Sequence, residues 1–388
     1  MSFSIYNPKF LQLNPPFISF SNKNTPPFQC NEFTLGSIYV DTNGTMNICR
    51  YLTYGVNSVV RTITNKDSSG NIYVGGNFTL AGNKFVGNIT KWNGSTFDIV
   101  GPSNFPGVSS QINTMVFDSN GNLYIGGGFS ATNSGTTLNR ITWWNPSNPT
   151  VWNPLGGSGA TAGLNGNVNT MVFDSNGNLY IGGSFTASSS GTTLNRITWW
   201  NPSNPTVWNP LGGSGATAGF KGTVNTMVFD SNGKLYIGGD FSATSSGILC
   251  NGIVRYDPST NSWDALGNKL SPSTTTSTVV NSLVIYNNNI LFVGGLISSV
   301  NGVSSIGVCK YDISTSTWYP INIFPTGITV TIQVLKVIDD YLYIGGSFTQ
   351  TLTQINTQYL IKYDIINDTY EAVNDIVDGT YSWTQNFF

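Results

Sequence analysis

Six Gly-Gly pairs, each directly after a short apolar run, recur along this chain. They are Gly75-Gly76, Gly126-Gly127, Gly182-Gly183, Gly238-Gly239, Gly294-Gly295 and Gly345-Gly346. Successive pairs are 51, 56, 56, 56 and 51 residues apart. A fixed period of this size indicates one supersecondary unit copied in tandem, in which each copy buries its faces against its neighbours.

The copy that begins at Val168 shows what the unit is. Residues 168–173 form an apolar, β-branched first strand, and Asn176-Gly177 is a strong hairpin signal before a second strand at 179–181. Third and fourth strands follow at 196–200 and 207–211. Four antiparallel strands per repeat predict an all-β, six-bladed β-propeller, with seven blades as the alternative if residues 36–55 and the C-terminal tail build one more.

The ends of the chain differ from the repeats. Residues 1–35 carry two Pro-Pro pairs and seven aromatic side chains, which predicts an extended arm that packs either on its own propeller or on a neighbouring subunit. Residues 36–55 predict a hairpin that caps or closes the ring, 56–375 the propeller, and 376–388 an aromatic tail. We expect the arm to be the attachment device of the protein.

Composition argues against catalysis. The chain has no histidine, which removes His-dependent triads and His-ligated metals, and no paired acids stand out. We therefore predict no enzyme activity, no cofactor and no metal. Only 9% of residues are charged and the net charge is −2, so a nucleic-acid partner is not expected.

The cysteines show no metal-binding spacing. Cys250 and Cys309 fall in third strands and are predicted to be small buried hydrophobic residues. The sequence leaves open whether Cys30 and Cys49 pair. The acidic residues that open the DSNG hairpins predict Asx-turns in preference to a calcium site; they are Asp118, Asp174 and Asp230.

Two sets of residues that stand at equivalent positions in successive repeats, here called columns, are candidate sites. Amide side chains near the starts of the first strands are predicted to line the central channel, either as latches to the neighbouring blade or as a polar ring for a ligand: Asn57, Asn113, Asn169, Asn225, Asn281 and Gln333. Trp143 and Trp199 form the second column, on third strands. Two roles are open for them: a stacking pair that binds a glycan, or side chains that cover apolar surface.

The repeats resemble those of kelch-type propellers, a group that includes the central domain of galactose oxidase. The order of an apolar run, Gly238-Gly239, Tyr256-Asp257 and Trp263 carries the resemblance. The GGxFT phrase, as at 182–186, is similar to repeats of fungal cortical polarity markers, and FDSNGNLYIGG resembles NHL-type propellers. The resemblance implies the fold and little about activity. The copper site of galactose oxidase needs histidine, which this chain lacks.

The prediction for function is a non-catalytic structural or protein-interaction propeller in a larger assembly, such as a viral particle or a surface layer. The alternative is a lectin-like propeller that binds a glycan or another small ligand. Low charge and recent blade duplication favour the first reading, and Asn-rich tandem copies suggest an AT-rich genome. We find no signal peptide and no 18-residue apolar span in the sequence, so the location is left open, with the virion as one candidate.

Overall fold

The computed structural model describes residues 55–271, 278–348, 351–352 and 359–373, and the backbone of two short strands, Ile38–Val40 and Met46–Ile48, which pair as a hairpin. The described residues form six four-stranded antiparallel sheets. Sheet 1 contains Val59–Ile63, Ile72–Asn77, Ile89–Trp92 and Phe97–Ile99; sheet 2 contains Ile112–Phe117, Leu123–Gly127, Ile141–Trp144 and Trp152–Pro154; sheet 3 contains Val168–Phe173, Leu179–Gly183, Ile197–Trp200 and Trp208–Pro210. Sheet 4 contains Thr223–Phe229, Leu235–Asp240, Ile253–Asp257 and Ser262–Asp264; sheet 5 contains Val279–Tyr286, Ile290–Leu296, Val308–Asp312 and Thr317–Pro320; sheet 6 contains Thr331–Ile338, Tyr341–Ser347, Leu360–Asp364 and Thr369–Ala372.

Each sheet is a meander in which the four strands pair in chain order. Sheets pack in sequence order through their first and second strands, from sheet 1 to sheet 6. This is the architecture of a β-propeller, and it confirms the predicted all-β class and the four-stranded blades.

Short elements lie in the loops within sheets and in the links between sheets. They are Leu80–Ala81 with Lys84–Phe85, the strands Leu270–Ser271, Ser299–Val300 and Val303–Ser304, and the 3-10 turns Gly159–Thr161, Gly215–Thr217 and Leu266–Asn268. Within the described ranges no helix is long and apolar enough to cross a membrane.

The meander gives the molecule two faces. The turns between strands one and two and between strands three and four lie on one face, here called the turn face. Loops between strands two and three, and the links from one sheet to the next, lie on the other, here called the loop face. Links and loops join there, as in the bridge of Leu164 with Ser188.

The core lies between sheets. Five clusters of 12 to 15 buried apolar residues fill the five interfaces from sheet 1 to sheet 6. In the interface of sheets 2 and 3, the Tyr124 ring meets Phe173 edge-on at 5.2 Å between centroids. Cys250 and Cys309 are fully buried in such clusters, as predicted.

The Gly-Gly pair is explained by two close approaches. A Cβ on the first glycine would meet the next sheet, as at Gly182, where it would lie 2.5 Å from Cγ1 of Val224. A Cβ on the second would collide with the first strand of the same sheet, as at Gly183, 2.0 Å from the carbonyl oxygen of Asn167. The pair therefore permits both close sheet packing and a local bulge.

The fourth-strand tryptophans hold neighbouring sheets together. The Trp208 indole lies over Gly156 in the link that leaves sheet 2, where a Cβ would come within 2.1 Å of Nε1 and where φ is +71°. Two sheet pairs further on, Trp318 Nε1 donates to the carbonyl of Leu266 at 2.8 Å. These contacts account for the fourth-strand tryptophans of sheets 2 to 5.

Candidate functional site

The amide column coincides with a β-bulge in the first strand. In sheet 2, Ile112 pairs with Gly127 and Thr114 with Gly126, so Asn113 is skipped in the ladder. The same register shift occurs in all six sheets. A bulged residue is released from the pairing pattern, which lets its side chain turn toward a neighbouring sheet.

Four of the bulged asparagines donate to the next sheet. Asn113 Nδ2 donates to the carbonyl of Val168 at 2.9 Å, and Asn169 Nδ2 to Val224 at 3.1 Å. The series continues from Asn225 to the carbonyl of Val280 at 3.2 Å and from Asn281 to that of Ile332 at 2.9 Å. In every case the acceptor directly precedes the bulge of the next sheet. These amides act as latches between blades, which accounts for them without a ligand.

The two outer members of the predicted column behave differently. Asn57 does not occupy the bulge of sheet 1; that position is Arg61, between the pairs Val60–Gly76 and Thr62–Gly75. Asn57 instead accepts from the backbone of Thr79 at 2.9 Å, on the loop face. Its assignment to the inner column is wrong, because the sequence match of 56–60 with the later first strands ignored the bulge. Gln333 does occupy the bulge of sheet 6 and is exposed.

The two third-strand tryptophans are packed internally. Trp143 stacks on its cross-strand neighbour Tyr124 at 6.4 Å between centroids and 27° between planes. Trp199 repeats this with Tyr180 at 6.5 Å and 24°. Both indoles are half-buried and pack against the core clusters. Their geometry matches the reading in which they cover apolar surface.

The DSNG carboxylates are used by their own turns. Asp174 Oδ1 accepts from the backbone N–H groups of Asn176 at 2.9 Å and Asn178 at 2.8 Å, and Oδ2 accepts from the Asn178 side chain at 2.8 Å. This is the Asx-turn predicted from the sequence. Among the described residues no group of three or more His, Cys, Asp or Glu side chains could hold a metal ion.

The tyrosines and thiols of the core are poor acid–base groups. Burial raises the pKa of Tyr124 and of Tyr180 far above the usual value, and a nearby aspartate raises each further. Burial also raises the pKa of the Cys250 thiol to about 12. At neutral pH all three stay protonated, so they offer neither a base nor a nucleophile.

One surface cleft lies between sheets 4 and 5 at their outer edges. It has a volume of about 240 Å³ and is lined by Asp264, Lys269, Asn301 and Trp318 among others. Small-molecule sites usually enclose about 300–1,000 Å³. Asp264 is engaged by an ion pair with Arg255, so its carboxylate is already partnered.

Six of the exposed apolar side chains lie on the loop face. Phe85 is 69% exposed and Phe105 57%, and they flank the contact of Gly87 with Pro106. Leu249 is 65% exposed, beside the exposed Ile248. The remaining loop-face members are Val303 and Leu352. We call these six residues the loop-face apolar set.

The sequence already holds a signal for this set. Sheets 2, 3 and 4 share almost the same loop, with Thr136-Thr137 and Thr192-Thr193 in the first two. In sheet 4 the equivalent positions carry Ile248-Leu249. Exchanging exposed threonines for exposed aliphatics is unfavourable in a solvated loop, and it is the kind of change that marks an interaction site.

Comparison with known proteins supports the fold. The family model described as the Rax2 C-terminal β-propeller domain matches residues 89–207, and a β-propeller domain of unknown function (DUF5122) matches residues 231–259. A search of curated proteins finds no significant match.

Two solved structures are similar in architecture. One is the extracellular domain of a proposed one-component system from B. thetaiotaomicron, with a TM-score of 0.55, 17% identity, and coverage of 87% of this chain and 36% of that one. The other is PorZ, a surface component of the type-IX secretion system of Porphyromonas gingivalis, with a TM-score of 0.53, 12% identity, and coverage of 86% and 44%. This chain thus spans less than half of either protein, and the likeness is one of fold.

Proposed function

We propose that this chain is a non-catalytic protein-interaction propeller that serves as a structural component of a larger assembly. The observation that carries the proposal is the loop-face apolar set, in which Leu249 and Phe85 are more than 60% exposed. Exposed aliphatic and aromatic groups of this kind favour a protein partner.

Other features support a binding role without chemistry. Four of the bulged asparagines are used as latches, and the carboxylates of the DSNG hairpins of sheets 2 and 3 are used by their own turns. The sequence contains no histidine for acid–base or metal chemistry. The stacking tryptophans on which a glycan-binding role would depend lie against Tyr124 and Tyr180.

A surface layer or a viral particle is the assembly that we propose. The two structural relatives are described as an extracellular domain and a bacterial surface component. Low charge and near-identical tandem blades fit a protein whose surface is largely covered by neighbours. The sequence-based idea that residues 1–35 attach the protein concerns a segment outside the described residues, and the loop face carries the attachment in this proposal.

The test replaces Ile248→Thr and Leu249→Thr together, which restores the threonine pair of sheets 2 and 3. Co-sedimentation with the native particle or envelope fraction is then measured for both proteins. We expect wild type to sediment with the assembly and the double variant to remain free, with unchanged circular dichroism and melting temperature.

The matched control lies on the opposite face. Val151 and Val207 are exposed in turns of sheets 2 and 3, and their replacement by threonine should leave co-sedimentation unchanged. Equal sedimentation of wild type and the Ile248→Thr/Leu249→Thr variant would remove the loop face from the proposal. Loss of sedimentation in the valine control would point to a general loss of stability.

A further inference from the structure

The two faces of the described molecule carry charges of opposite sign. Ten aspartates lie on the turn face, in the turns or at the last position of a third strand, together with two lysines. The described links and loops of the loop face contain no aspartate or glutamate, and their cationic residues are Lys84, Arg140, Arg196, Lys221 and Lys269. The loop face is therefore the basic side of a protein whose net charge is −2.

Acidic side chains in the adjoining strands balance only part of this charge. Asp98, in the fourth strand of sheet 1, pairs with Lys84. Asp264, at the end of the fourth strand of sheet 4, pairs with Arg255. Asp240 ends the second strand of sheet 4 and is itself partnered. With Asp98 and Asp240 both counted against the five cations, the loop face keeps an excess of positive charge.

Two of these cations, Arg140 and Arg196, occupy a backbone position that favours glycine. The residue directly before the third strand has a positive φ in all six sheets, and it is glycine in sheets 4 and 5. The angle is +76° at Arg140 and +75° at Arg196. Hydrogen bonds impose it, since the Arg140 N–H donates to the carbonyl of Phe129 at 2.7 Å and the Arg140 carbonyl accepts from Gly127 at 2.9 Å. A long side chain retained in this unfavourable region indicates a use for that side chain.

Both guanidinium groups are held on the loop face with donors to spare. Nη1 of Arg140 donates to the carbonyl of Gly128, and Nη1 of Arg196 donates to that of Ser184. A guanidinium carries five N–H groups in a planar fork. Neither arginine forms an ion pair with a residue that the structure describes. Each can therefore receive an anion from outside the chain.

The arginines adjoin the exposed aliphatic pair of sheet 4. The residue before Arg196 accepts, through its carbonyl, from the N–H of Phe220 at 2.9 Å in the next link. Phe220 in turn pairs with Thr244, in the loop that carries Leu249. Lys221 follows Phe220 and is exposed. We call the following residues the basic-apolar patch: Arg140, Arg196, Lys221, Ile248 and Leu249.

We propose that the basic-apolar patch binds an acidic protein surface, with carboxylates on Arg140 and Arg196 and apolar side chains on Ile248 and Leu249. This inference rests on the proposed function and names the chemistry of the partner. A planar guanidinium binds a carboxylate through two parallel hydrogen bonds, which selects Asp and Glu side chains over neutral ones. The aliphatic pair supplies the apolar area between the charges.

Two other anionic partners fit these residues less well. Nucleic acids are bound by dense clusters of Lys and Arg with aromatic rings, whereas here five cations are spread over the face with exposed aliphatic residues beside them. The turn face of a second copy is acidic, but carboxylates such as Asp174 already accept hydrogen bonds from their own turn. An acidic protein other than this chain is the partner that the observations favour.

The test combines Arg140→Gly with Arg196→Gly in the full-length protein, because Gly252 and Gly307 already occupy this backbone position. Co-sedimentation with the native particle or envelope fraction is measured at about 50 mM NaCl, where charge pairs are weakly screened. We expect the co-sedimented fraction to fall at least about fivefold, because the partner's carboxylates lose their guanidinium groups. The melting temperature should stay equal or rise, since glycine relieves the left-handed backbone.

The charge-matched control combines Lys66→Gln with Lys336→Gln. Both lysines are exposed and lie outside the loop face, so this variant should sediment as wild type does. A second measurement identifies the class of partner: the native fraction is amidated with carbodiimide and glycinamide, which neutralises carboxylates, or is treated with nuclease or with periodate. We expect amidation alone to abolish sedimentation of the wild type.

Loss of sedimentation after nuclease or periodate would overturn the proposal in favour of a nucleic acid or a glycan. Self-association of the wild type that the arginine variant abolishes would overturn it in favour of a second copy. Sedimentation of the arginine variant equal to wild type would also overturn it, as would a lower melting temperature, because the contacts with Gly128 and Ser184 would then be structural. If the Ile248→Thr/Leu249→Thr variant stays free while the arginine variant sediments, the proposed function stands and the acidic partner alone is excluded.

Discussion

At the residue scale, the bulged asparagine is the most informative position. It combines three facts of the repeat: the second glycine of the pair makes room for the bulge, the bulge frees the side chain, and the amide reaches a carbonyl of the next sheet. Asn169, which donates to Val224 at 3.1 Å, lies within this series with a latched neighbour on each side.

Replacing Asn169→Ala should lower the free energy of unfolding by about 1 kcal/mol, because the Val224 carbonyl loses a partner in a half-buried place. Chemical denaturation followed by tryptophan fluorescence measures the change. Asn204→Ala, in an exposed turn of the same sheet, is the control and should change the free energy by less than about 0.5 kcal/mol. Equal effects of the two variants would show that the latch does not contribute to stability.

Single residues also show which features could not be predicted from the sequence. Columns of glycine and aromatic residues could be aligned because each position needs one side-chain type. The bulge could not be seen, since a skipped residue leaves no signature in composition, and Asn57 was therefore placed four positions from its true counterpart of Arg61. Exposure at Leu249 was equally invisible in a single repeat and stood out only against the threonines of its neighbours.

At the element scale, the hairpin between strands one and two is organised by one carboxylate. Asp174 closes the turn of sheet 3 with three hydrogen bonds, and Asp118 does the same in sheet 2. The strand assignments and the Asx-turn could be predicted from the sequence because both depend on local pattern. The stacking of Trp143 on Tyr124 depends on cross-strand register, which local pattern does not fix.

Replacing Asp174→Ala should lower the melting temperature, because two backbone N–H groups lose their acceptor. Asp174→Asn should retain most of the stability, since its amide oxygen still accepts both. Differential scanning calorimetry with and without millimolar calcium measures both variants and wild type. A calcium-dependent rise in the wild-type melting temperature that disappears in Asp174→Asn would contradict the turn and support a metal site.

At the scale of the whole molecule, one type of interface recurs between successive sheets from sheet 1 to sheet 6. The same residue types stand at equivalent positions in each interface. Titration behaviour follows from the same repetition. Buried tyrosines recur at one position in sheet after sheet, and for Tyr236 burial is the main cause that raises the pKa to about 12. No histidine titrates near neutral pH.

We expect stability to be constant from about pH 5 to about pH 8, to begin to fall above the ordinary thiol pKa of about 8.5 because burial raises the pKa of Cys250, and to fall more steeply above about pH 10. The unfolded chain releases the tyrosine protons at their ordinary pKa, while the raised pKa of Tyr124, Tyr180 and Tyr236 keeps the folded chain protonated, so rising pH favours unfolding. On the acid side, hydrogen bonds from Ser314 and from Asn367 lower the pKa of Asp312 and Asp364 respectively, so their contribution is lost as pH falls below about 4.

Urea denaturation at a series of pH values measures this profile. Tyr180→Phe should move the alkaline limb to higher pH, because one group that must stay protonated is removed. A stability maximum with a slope between pH 6 and pH 8 would contradict the expectation and would require a titrating group that the sequence does not provide.

The latches give the molecule a direction. Every donor belongs to one sheet and every acceptor to the sheet that follows it in the chain, from Asn113 to the carbonyl of Ile332. A series of this kind has unlike ends: the exposed amide of Gln333 stands at one end, and Val60, which directly precedes the bulge of sheet 1, stands at the other. Contacts between unlike ends form either a closed ring or an open filament. A contact between the two ends of one molecule closes the series into a ring, whereas a contact between the last sheet of one copy and the first sheet of another extends the series head to tail.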